Sequence, residues 1–252
     1  MPQYVNITPL AFLSINSNYQ LDFGFLTQNF PAAQIRGWIR TIRANGTKVL
    51  FSINDQKLGS IPTAQQPAFI QNVVQNVAAW GVDGIDFDFE PPSESATLVP
   101  LIQALRSALP PGSVFTAPIY QPWIYHQGML AQLAGAVDYI TTMDYTPYPG
   151  YQNTINLCKQ YASIIGGWSK LVIGVSCMGP PPPKSNNFTP LEDVKRLSAY
   201  EPSATESKGG SMLYTFSYDV KSRKNSGTGY PDGTWTRTIH EFLPAATAHK
   251  VA

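Results

Sequence analysis

Along the chain, apolar runs of strand length alternate with segments in which apolar residues recur every three or four positions. Residues 4 to 16, ending Leu10-Ala11-Phe12-Leu13-Ser14-Ile15-Asn16, read as an apolar strand with Pro9 as an irregularity near its start. Pro31 then opens a predicted helix in which Ile35, Trp38, Ile39 and Ile42 share a face. Arg36, Arg40 and Arg43 fall off that face as its solvated side, and Asn45-Gly46 ends the helix. Lys48 to Ile53 is a buried strand, and Phe69, Ile70, Val73, Val74 and Val77 form the stripe of the next helix.

The rhythm continues without a break. After a strand over Asp83 to Glu90 come a helix carrying Leu98, Ile102, Leu105 and Leu109, a strand from Ser113 to Tyr120 and a short helix. A strand from Tyr139 to Thr146, a helix from Thr154 to Ile165 and a strand from Leu171 to Met178 follow. The last strand is Ser211 to Asp219, and Thr236 to Ala248 reads as a closing helix. Regular alternation of strand and helix predicts an α/β fold with a parallel sheet, and the number of units predicts a closed TIM-type (β/α) barrel. Seven strands are recognisable. With no linker or composition break, residues 1–252 read as a single barrel domain.

Composition narrows the partners. Charged residues make up 13% of the 252 residues and the net charge is +1, a balance that suggests neither nucleic acid nor an anionic membrane surface. Aromatics reach 12%, which suits a protein that handles sugar rings. Cys158 and Cys177 imply no disulfide framework, although the pattern leaves a single bridge open. His126, His240 and His249 lack ligand spacing, so neither a metal nor another cofactor is expected. Met1-Pro2-Gln3-Tyr4 has no basic region or apolar run of a secretory leader, which leaves a cytoplasmic protein or one whose leader has been removed.

Against this weakly charged background, Asp83-Gly84-Ile85-Asp86-Phe87-Asp88-Phe89-Glu90 places four carboxylates within eight residues. On a strand Asp86, Asp88 and Glu90 share one face, and Ile85, Phe87 and Phe89 share the other. Like charges at such spacing repel, and burying them is costly, so a purely structural strand would avoid the pattern. Loops after strands carry the active site in a barrel of this type. Here they are rich in proline and aromatics: Pro91-Pro92-Ser93, Gln121-Pro122-Trp123-Ile124-Tyr125, Pro147 to Tyr151, Pro180 to Pro183, and Lys221 to Trp235. Trp123 is a candidate platform for a sugar ring.

The acidic stretch resembles the Asp-x-x-Asp-x-Asp-x-Glu signature of glycoside hydrolase family 18, which contains chitinases, endo-β-N-acetylglucosaminidases and inactive chitinase-like lectins. Tyr4-Val5-Asn6-Ile7 with Ala11-Phe12-Leu13 is similar to the family's second strand, and Thr142-Met143-Asp144-Tyr145 to its sixth. Gly209-Gly210-Ser211-Met212-Leu213-Tyr214 is similar to its eighth, and the compact layout is closest to class III-like single-domain members. The resemblance implies Glu90 as proton donor, Asp88 as partner of the substrate's acetamido N–H, Asp86 as electrostatic support and Tyr145 as donor to the acetamido oxygen. Tyr214, Met143, Phe12, Trp123 and Asn54 are the implied substrate-binding residues, and Asp83 and Gly84 are structural. The implied substrate is an N-acetylglucosamine polymer or glycan: chitin first, the chitobiose core of N-glycans second, with a non-catalytic sugar-binding protein as the third reading. The family also favours an extracellular location.

Several positions depart from the family pattern. Its third strand ends Ser-x-Gly-Gly, whereas this chain has Ser52-Ile53-Asn54-Asp55, so side chains occupy places where backbone usually approaches closely. Tyr214 stands where Trp is usual on the eighth strand, and Thr146 where Asp or Asn follows the sixth-strand Tyr. The acidic motif ends the family's fourth strand but only the third recognisable here, so the first βα unit is expected to be missing or atypical. An unfilled gap would leave strand edges open to self-association.

Overall fold

The computed structural model describes residues 2–90, 95–178, 187–220 and 230–245. They gather into two compact units, one from residues 1–118 and 125–138, the other from residues 119–124 and 139–252. Pro91-Pro92-Ser93, the Pro180 to Pro183 run and residues 221–229 lie outside the described residues.

The first unit opens with β1 (Ile7–Ile15), which turns back through a two-residue antiparallel strand, β2 (Leu21–Asp22). A one-turn helix, α1 (Gly24–Thr27), precedes α2 (Ala32–Ala44), whose end at Asn45-Gly46 is as the sequence predicts. Then come β3 (Lys48–Asn54), α3 (Gln66–Trp80), β4 (Gly84–Asp88), α4 (Leu98–Ala108), β5 (Val114–Ile119) and α5 (Gln127–Ala136). β1 pairs parallel with β3, β3 with β4 and β4 with β5. Residues 49–53 of β3 and all of β4 are buried, as expected of parallel strands covered on both faces. α3 buries Phe69, Val73, Val77 and Trp80 and stops at Gly81, whose φ of 68° is a left-handed cap.

Gly84 is dictated by packing: a Cβ there would lie 1.8 Å from the carbonyl oxygen of Val114, so β5 could not pair so closely with β4 beside any larger residue. Of the arginines of α2, Arg40 and Arg43 are exposed and Arg36 is half-buried; Arg43 binds Asp83, and Arg36 lies 5.6 Å from the centre of the Trp80 ring. Trp38, expected on the buried stripe, is 43% exposed and meets Phe30 edge-on.

The second unit contains β6 (Tyr139–Thr142), α6 (Tyr151–Ile165), β7 (Leu171–Ser176), α7 (Leu191–Ala199), β8 (Gly210–Tyr214), α8 (Phe216–Asp219) and α9 (Thr234–Phe242). β6 pairs parallel with β7, and β7 with β8. α7, opened by Pro190 with Glu192 and Asp193 in its first turn, was not predicted. β6 and β8 are shorter than predicted, because a turn follows Thr142 and a helical turn begins at Phe216. Asp219 ends that turn fully buried, accepting from the backbone N–H groups of Trp235 and Thr236 and from the Thr236 hydroxyl at the start of α9.

The seven predicted strands are β1 and β3 to β8, and β4 is the third of them in chain order. Cys158 and Cys177 are both buried and free, so neither forms the disulfide that the sequence left open. No helix among the described residues is long and apolar enough to cross a membrane.

Candidate active site

The acids of β4 are built into the strand ladder of the first unit. Asp86 sits opposite Ser52 of β3 and Thr116 of β5, and Asp88 sits opposite Asn54 of β3. Each register partner donates to its acid. The Ser52 hydroxyl reaches Asp86 Oδ2 at 2.6 Å, and the Thr116 hydroxyl binds Asp86 Oδ1. Asn54 Nδ2 donates to Asp88 Oδ2 at 2.8 Å. Asp88 Oδ1 is buried and has no hydrogen-bond partner among the described residues. Glu90, two residues beyond the end of β4, is only half-buried, so its carboxyl lies closer to solvent than the other two.

Burial decides the electrostatics. Asp86 and Asp88 are 5% and 3% exposed, and among the described residues no Lys or Arg pairs with either acid or with Glu90. Loss of solvent pushes the Asp86 carboxyl up to about 6 against the opposing pull of its two hydroxyl donors. Asp88 is pushed further, to about 8, by burial first, then by the charges of Asp86 and Glu90 and by hydrogen bonding with the Glu90 carboxyl, with only Asn54 favouring its ionised form. The cluster therefore retains a proton near neutral pH and can exchange it among neighbouring carboxyls.

Asp83, at the other end of β4, has a different setting. Its carboxylate takes a fork from Arg43, with Nε at 2.9 and 3.0 Å and Nη2 at 2.8 Å, and also accepts the N–H of Val49 at 2.9 Å. Those bonds tie the Asp83 carboxylate to α2 and β3. Phe12 lies in β1, half-buried, next to the irregularity in its pairing with β3.

In the second unit, Tyr145 follows β6 and Tyr214 ends β8, and their rings stack 5.6 Å apart at 12°. Tyr145 is 4% exposed. Its N–H donates to the Met143 carbonyl at 2.7 Å, and the Met143 N–H donates to the Ile119 carbonyl at 2.7 Å. Between them, Asp144 is buried and accepts the Tyr161 hydroxyl at 2.9 and 3.1 Å and the Gln121 N–H at 2.9 Å. Burial pushes its carboxyl up to about 6.

The sequence reading placed Trp123 on a surface for sugars, and here the structure overturns it. Trp123 is fully buried, and the exposed aromatic of that loop is Tyr125, at 78%. Sequence reasoning passes over Thr116 and Tyr161 and gives Ser52 and Asp144 no role. Their signal is faint but present: Ser52, Asn54 and Thr116 are polar residues at alternating positions of otherwise apolar strands.

A search of curated protein sequences returns no match. Among solved structures, the chitinase-like agglutinin of Robinia pseudoacacia matches with a TM-score of 0.73 at 14% identity, over 96% of this chain and 94% of the other. A fungal endo-β-N-acetylglucosaminidase of family 18 matches with a TM-score of 0.71 at 15% identity, over 93% of this chain and 85% of the other. Catalytic domain 2 of the Group II chitinase of Ostrinia furnacalis, in complex with penta-N-acetylchitooctaose, matches with a TM-score of 0.67 at 15% identity, over 96% and 90%. At these identities the likeness shows the fold, an α/β fold of the TIM-type (β/α) barrel class. The family assignment comes from sequence: the model described as "Glycosyl hydrolases family 18" matches residues 2–237, which contain the whole acidic strand with its ladder partners, and the chain belongs to that family.

Proposed function

We propose that the chain, acting as one catalytic domain over residues 1–252, is a glycosidase that cleaves β-1,4-linked N-acetylglucosamine polymers, a chitinase. The observation that carries this reading is the setting of Asp88, a buried carboxylate between two other acids, with one oxygen that has no hydrogen-bond partner and no Lys or Arg pairing with it among the described residues. A buried acceptor without a donor costs about 1–3 kcal/mol, a cost that a ligand N–H can remove. The acetamido group of N-acetylglucosamine carries such an N–H. The Ostrinia chitinase domain in complex with a chitin oligomer supports a substrate of this class.

In this reaction the Glu90 carboxyl gives its proton to the glycosidic oxygen as the bond from that oxygen to C1 breaks. The substrate's own acetamido oxygen forms the new bond to C1, giving an oxazolinium ion. Asp88 accepts the acetamido N–H and offsets the positive charge, with Asp86 behind it, and Tyr145 donates to the acetamido oxygen. The Glu90 carboxylate then takes a proton from water as the water oxygen bonds to C1 and the acetamido group re-forms, with net retention. Tyr214, Met143, Phe12 and Asn54 complete the proposed set of substrate-binding residues.

A second reading, cleavage of the chitobiose core of N-glycans, is favoured by the side chains of Asn54 and Tyr214 and by the likeness to the fungal endo-β-N-acetylglucosaminidase. Incubation with chitin oligosaccharides and, separately, with a high-mannose glycopeptide separates the two. The expected result is shorter N-acetylglucosamine oligomers from the first and no release from the second. Release from the glycopeptide alone would overturn the chitinase reading, and binding of the oligomers without cleavage would favour a sugar-binding protein.

A further inference from the structure

Asp86 is served from both neighbouring strands, whereas Asp88 is served from one. On β5 the same-face position two residues beyond Thr116 is Pro118, which has no N–H and no side-chain donor. The donor to Asp88 on the β3 side is Asn54, at 2.8 Å, through the atom Nδ2. A glycine at residue 54 would leave Asp88 without that bond. Both oxygens of Asp86 accept a hydroxyl from a flanking strand, whereas on the β3 side Asp88 takes the Asn54 amide on one oxygen.

We infer that Asn54 is a positioning residue: it holds Asp88 Oδ2 against β3, fixes the plane of the carboxyl group and leaves Oδ1 as the single oxygen offered to a substrate N–H. This rests on the proposed role of Asp88 and adds to it a device that keeps the carboxyl from rotating. The bond also favours the ionised form, and so opposes the burial and the charges of Asp86 and Glu90 that drive Asp88 towards protonation. The other groups beside Asp88 on its flanking strands, Ser52, Thr116 and Pro118, are uncharged.

The test reads Asp88 directly, by NMR titration of the protein carrying 13C-labelled aspartate carboxyl groups, with its signal assigned from Asp88→Asn. In Asn54→Ala, and in the near-isosteric Asn54→Leu should the first fail to fold, the Asp88 midpoint is expected to rise by about one pH unit. An unchanged or lowered midpoint would overturn the inference. The second readout is hydrolysis of an N-acetylglucosamine pentamer: Asn54→Ala is expected to lower kcat about tenfold, with Asn54→Gln recovering part of the loss. An unchanged kcat would also overturn it. A parent protein that leaves the pentamer intact defeats the proposed reaction instead, and the titration still decides whether Asn54 holds Asp88.

Discussion

The two ends of β4 carry acids in opposite settings. At the amino end Asp83 is matched by a cation, the Arg43 guanidinium, which binds it in a fork, and by one backbone N–H. Towards the carboxyl end Asp86 and Asp88 are more deeply buried, yet they receive only neutral donors from Ser52, Thr116 and Asn54. Asp83 is tied to the scaffold by its pair, whereas burial raises the hold of Asp86 and Asp88 on a proton. In the second unit the enclosed carboxylate of Asp219 has a structural task, since both its oxygens accept from the start of α9.

The contrast predicts opposite responses to neutralisation, and the larger belongs to Asp88. Its folded carboxyl titrates at about 8, above the ordinary value of 3.8, so between these two values the folded protein holds a proton that the unfolded chain has lost. Stability therefore falls as pH rises through that window. Asp88→Asn removes this loss. Urea unfolding is expected to show the variant gaining on the parent between about pH 5 and about pH 8, and no gain, or a parent that becomes relatively more stable, would break the comparison. The smaller effect is the reverse. Asp83→Asn weakens the fork to Arg43 and is expected to destabilise the fold by about 1 kcal/mol, a modest value because Arg43 is half-exposed. A gain in stability in the same unfolding experiment would place Asp83 with the other acids.

Much of this was legible because charge stands out where it is rare. The alternation of Asp86, Asp88 and Glu90 with Ile85, Phe87 and Phe89 could be seen without a structure, and so could the β3, α3 and β7 segments, whose periodicity is clean. What periodicity cannot supply is the partner. It puts Trp38 on a buried stripe, and the place of Trp123 in a loop after a strand suggests a sugar platform, when Trp38 is 43% exposed and Trp123 is fully enclosed. It runs β6 and β8 onward to Thr146 and Asp219, although the backbone turns after Thr142 and Tyr214. α7 has only nine residues and follows a proline-rich stretch, so its pattern was too short to separate from loop. Ser52 and Thr116 are ordinary strand residues until the register sets both opposite Asp86.

The most direct measurement is the rate of N-acetylglucosamine oligomer cleavage by the parent protein and by Glu90→Gln, with both shown to unfold at the same urea concentration. The account predicts hydrolysis by the parent and a fall of roughly a thousandfold in the variant, the scale of losing a general acid. Hydrolysis that survives in Glu90→Gln, or a parent that cleaves no oligomer, would contradict it.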